Sequence, residues 1–136
     1  MTPDQIPLAR RVIACGLPVP HHAVSRDGAA MTVGLGNCVI PWRHNTGSVD
    51  YDPDTRIMWR VVATHTGPEL LPVLDDFALL GWLIHELERV TGSTPEYIST
   101  EDRWFVVIDD GRTVTGLGKT RIEALVAALE VAKGAA

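Results

Sequence analysis

The sequence predicts a single α+β domain: a mainly antiparallel sheet of about five strands, packed with two long helices and one short N-terminal helix. Three observations carry that class. Between Pro72 and Lys133, two stretches with apolar residues at helical spacing flank a hairpin thick with Val, Ile, Trp and Phe. Near the N-terminus, Leu8, Val12 and Cys15 share one helical face. Residues 23–64 alternate β-forming runs with Gly, Asn and Asp turn chemistry. Two amphipathic helices with a sheet between them in sequence must share a core with it.

The first helix begins near Pro7, whose fixed φ suits an early helical position, and ends at Cys15 before Gly16. Leu17-Pro18-Val19-Pro20 then forbids helix and leads extended into His21-His22. Candidate strands follow at 29–35, 37–42 and 56–64, with a long exposed loop from Arg43 to Thr55, and Gly67-Pro68 closes the β region. Asp75 or Asp76 is placed to N-cap the main helix, Phe77 to Val90, with Phe77, Leu80, Leu83, Ile84, Leu87 and Val90 as its buried stripe. Gly92-Ser93-Thr94-Pro95 stops it. Strands at 96–99 and 103–108 come next, then a turn at 109–112 and a return strand at 113–117. Thr120 and Glu123 form a capping box for the last helix, with Ile122, Leu125, Val126 and Leu129 on its inner stripe. The organisation is thus one domain, with a variable β-rich region at about 17–66 and a helix–hairpin–helix scaffold at about 72–133.

Composition narrows the function. At 136 residues the chain has room for a core without disulfide or metal staples. A net charge of −5 argues against a phosphate-binding surface, so nucleic acid is not an expected partner. The seventeen carboxylates are scattered, with no run longer than two, which also excludes a nucleic-acid mimic. The two cysteines, Cys15 and Cys38, read as small core residues of a reduced, cytoplasmic protein. The longest apolar stretch, around Phe77 to Leu87, is interrupted by His85 and Glu86 and is too short to span a bilayer.

No catalytic motif is complete. Gly116-Leu117-Gly118-Lys119-Thr120 before a helix matches the end of a phosphate-binding loop, but the spacing requires glycine where Thr113 stands. Two readings stay open for Gly116, Gly118, Lys119 and Thr120: a glycine turn feeding the Thr120 cap, or a ligand site in which a helix N-terminus and Lys119 hold an anion. Asp50-x-Asp52-x-Asp54 has the spacing that opens a calcium loop, yet Thr55 and Val61 occupy the positions needing Gly and Glu, leaving a solvated acidic loop. The five histidines, His21, His22, His44, His65 and His85, form no metal-binding spacing. Glu86 and Glu88 fall on largely solvent-facing helix positions. No cofactor and no metal is implied. The tryptophans are more informative: Trp59 and Trp104 alternate with core residues, while Trp82 lies off the main helix's stripe and Trp42 borders the polar loop beside Arg43 and His44. Exposed aromatics beside arginine make binding hot spots, so Trp42, Arg43, His44 and Trp82 are the candidate partner-binding residues.

The N-terminal Leu8-Ala9-Arg10-Arg11-Val12-Ile13-Ala14-Cys15, the stretch from Leu71 to Leu83, and the ending Glu123-Ala124-Leu125-Val126-Ala127-Ala128-Leu129 resemble small phage and prophage proteins of the phage ABA sandwich type. The resemblance implies a layered packing of sheet and helices and brings no established activity with it. It covers the helix at each end and the central helix, and the chain departs from it between Gly34 and Thr66. Together these readings predict a small non-enzymatic phage protein that binds a protein partner or itself, as host-takeover and anti-defence factors do. A small-ligand or nucleotide-binding protein and a structural virion component are the alternatives.

Overall fold

The computed structural model describes residues 3–19, 32–35, 38–41, 49–52, 54–64, 67–109 and 113–134. Three helices and eight strands lie in the order α1 (Gln5–Ala14), β1 (Thr32–Leu35), β2 (Cys38–Pro41), β3 (Val49–Tyr51), β4 (Met58–Thr64), β5 (Gly67–Pro72), α2 (Phe77–Thr91), β6 (Glu96–Ser99), β7 (Trp104–Asp109), β8 (Thr113–Gly118) and α3 (Arg121–Ala132). This is the expected α+β class, with one short and two long helices. All described strand pairs are antiparallel, and they are distributed over three sheets, β1-β2, β3-β4-β5 and β6-β7-β8. The chain divides into two compact units, Met1–Leu79 and Leu80–Ala136, with the boundary in the first turn of α2.

In the first unit, α1 runs along β5 and the two are joined by a two-pronged ion pair. Arg10 Nε donates to Glu69 Oε1 at 3.0 Å and Nη2 to Oε2 at 2.7 Å. Ala9, Val12, Cys15 and Leu17 are buried, and Gly16, at φ 105°, turns the chain out of the helix as its position predicts. The register pairs Trp59 with Pro72 and Val61 with Leu70, placing these residues on one face of the sheet, while Leu71 on the opposite face is equally buried.

Two segments read as non-strand are strands. β3 forms inside the stretch taken for an exposed loop, pairing Val49 with Arg60 and Tyr51 with Met58. β5 begins at Gly67-Pro68, the dipeptide read as closing the β region. Both prolines of β5 are tolerated because it is an edge strand, where a missing N–H need not interrupt the ladder.

Asp76 organises the junction into α2. Its Oδ1 accepts from the Ala78 amide at 3.1 Å, as an N-cap does, and its Oδ2 accepts from the Met58 amide at 2.7 Å, anchoring the start of β4. The buried stripe of α2 differs from expectation. Leu79, Leu83 and Leu87 are fully buried, whereas Phe77 is 85% exposed. Apolar side chains surround most of the helix from Phe77 to Ile84, so helical spacing alone does not single out the inward face.

In the second unit, α3 lies directly on β8 and β7. The contact is made by small residues: a Cβ added to Gly118 would sit 2.6 Å from the Ala124 amide nitrogen, and one added to Gly116 would sit 2.8 Å from the Ala128 Cβ and closer still to backbone atoms of Ala124 and Ala128. The inward face of α3 is accordingly Ala124, Leu125, Val126, Ala128 and Leu129, all buried.

Gly116→Ala is expected to destabilise the protein by about 3 kcal/mol, because the obstruction is backbone and the helix must shift to admit a methyl group; urea titration followed by tryptophan fluorescence measures it. Asp76→Ala, which removes the α2 cap and leaves the Met58 amide unpaired, is expected to cost about 1–2 kcal/mol by the same assay, with Asp76→Asn retaining part of the cap.

Candidate interaction surface

Strand β7 reads Trp-Phe-Val-Val-Ile, apolar on both of its faces. The inner face carries Val106 and Ile108, both buried, and half-buried Trp104, opposite the two glycines of β8. The described residues of the outer face are more exposed. Register places Ile98 of β6, Phe105 of β7 and Leu117 of β8 in one row across the sheet, with Glu96, Val107 and Thr115 as the next row. Ile98 is 53% exposed and Leu117 44%, with Phe105 and Val107 half-buried between their neighbours. Continuing the alternation one step past the opposite strand ends brings in Arg103 and Lys119, both exposed, as is Glu96. The outer face therefore carries an exposed acid, Glu96, at one end of its apolar band, and at the other the exposed Arg103 and Lys119 with the exposed Glu101 and Asp102 in the adjoining turn.

On the inner face the Arg121 guanidinium stands over the rings of Tyr97 and Trp104, 5.7 and 5.9 Å from their centroids. Such a placement attracts the cation to both ring faces. The Tyr97 hydroxyl is buried without a hydrogen-bond partner. Burial pushes its pKa up, Arg121 pulls it down and Glu88 of α2 adds to the rise.

The residues singled out from sequence fall as follows. Trp42, Arg43 and His44 lie outside the described residues. Trp82 is half-buried on α2, at the edge of an exposed strip formed by Phe77, Gly81 and His85. Gly116 and Gly118 are buried beneath α3, which accounts for both glycines by close approach. Thr120 N-caps α3, accepting from the Glu123 amide at 3.2 Å, and the Ala124 amide returns to the Thr120 carbonyl at 3.0 Å. Lys119 is exposed beside this cap.

Two acidic positions differ from expectation. Asp52 is buried rather than solvated: Oδ1 accepts from the Asp54 amide at 3.0 Å and Oδ2 from the Thr55 hydroxyl at 3.1 Å, building the tight turn between β3 and β4. Arg56 in that turn adopts φ 67°. Glu86 is only 9% exposed, bonded to Arg89 one turn on and ion-paired with Lys133 at 3.4 Å, which ties α2 to the end of α3. Among the described residues no group of three or more His, Cys, Asp or Glu is placed to hold a metal ion, and no helix is long and apolar enough to cross a membrane.

Sequence reasoning missed the Ile98–Phe105–Leu117 row. Its signal was the unbroken apolar run of β7 from Trp104 to Ile108, which marks a strand with apolar residues to cover on both sides.

The Glu86 cluster sets a pH dependence. The hydrogen bond from Arg89 holds the Glu86 carboxyl below its ordinary value of 4.5, against opposing burial, with Lys133 adding to the lowering. A lowered folded value means that the stabilisation is complete above the ordinary carboxylate range and is lost as pH falls through the folded value. Thermal melts from pH 7 downward are expected to lose stability below about pH 4.5, with a shallower loss in Glu86→Gln. No family model, curated protein or solved structure matches the chain.

Proposed function

We propose that this chain is a small, phage-encoded, non-enzymatic protein that works by binding a protein partner, in the manner of host-takeover and anti-defence factors. The observation that carries the reading is the outer face of the β6-β7-β8 sheet. Ile98, Phe105 and Leu117 form a continuous apolar row there, rimmed by charge at both ends. An apolar patch with a polar rim is the arrangement of protein-binding surfaces. Covering the exposed halves of Ile98 and Leu117 contributes roughly 1 kcal/mol each, a modest but usable share of a binding energy. The phage origin rests on the resemblance of the three helical segments.

Affinity capture from bacterial extract tests the reading. Ile98→Asp with Leu117→Asp replaces two exposed side chains, leaves the buried core intact, and is expected to lose the partners that the unaltered protein retains. Retention of every partner by this variant, with loss only in Trp42→Ala/Arg43→Ala, would move the binding surface to the loop and overturn the reading.

A further inference from the structure

We draw no further inference here: the strongest candidate, the apolar row of Ile98, Phe105 and Leu117 on the outer face of the β6-β7-β8 sheet, carries none, because nothing in the structure shows what covers it and the charges beside Arg103 are of mixed sign.

Discussion

The close approach of α3 to β8 is the constraint on which the C-terminal unit depends. Helices normally stand off a sheet by the depth of their side chains, but at Gly116 and Gly118 the strand offers no Cβ, and Ala124 and Ala128 offer little more. Seating the helix this deeply fixes both its height and its rotation. Its first residue, Arg121, is thereby brought over Tyr97 and Trp104, and Lys133 just past its end comes within reach of Glu86. Two glycines in an edge strand would ordinarily weaken it, since they add backbone entropy without contributing side-chain contacts. Here that loss is offset by the buried Leu125, Val126 and Leu129, which the short distance allows to pack.

Strand parity carries the same constraint to the other side of the sheet. Once Gly116 and Gly118 are committed inward, Thr115 and Leu117 must face outward, and register with β7 and β6 sends Phe105, Val107, Ile98 and Glu96 the same way. The outward apolar row is therefore no accident of one residue. It is the geometric complement of the helix-bearing face, and β7, apolar from Trp104 to Ile108, has the composition of a strand covered on both sides. A one-residue slip of register would relieve the exposure only by pushing Leu117 against α3 in place of a glycine, where no room exists.

Features set by local chemistry were legible in the sequence, and those set by what meets what were not. The Thr120 half of the α3 capping box, the Asp76 cap, the glycine at the end of α1 and the hairpin strands β7 and β8 all depend on neighbours a few residues away, and all stand where the spacing put them. The inward face of α2 was hidden because apolar residues lie nearly all around it, so Leu79 and Phe77 exchange their expected places. The Asp50–Asp54 stretch resembled a solvated acidic loop because a carboxylate that organises its own turn, as Asp52 does, has the same spacing as one facing solvent. The glycines of β8 pointed toward phosphate chemistry for a related reason: glycine is required wherever backbone is approached closely, and sequence does not say whether the visitor is a ligand or a helix. Of the partner-binding residues chosen from sequence, Trp82 lies at an exposed helix edge and Trp42, Arg43 and His44 lie outside the described residues.

Charge acts on the outer face at two ranges. The chain carries a net −5, so two copies repel at a distance. At physiological ionic strength that repulsion fades beyond about 8 Å, and what two docking faces feel is the pattern within that range. Rim pairs between exposed side chains are each worth less than about 1 kcal/mol and do not hold a complex together by themselves. On this face the exposed Glu96, Arg103 and Lys119 therefore tune an association, while the area to be covered is supplied by the Ile98–Phe105–Leu117 row.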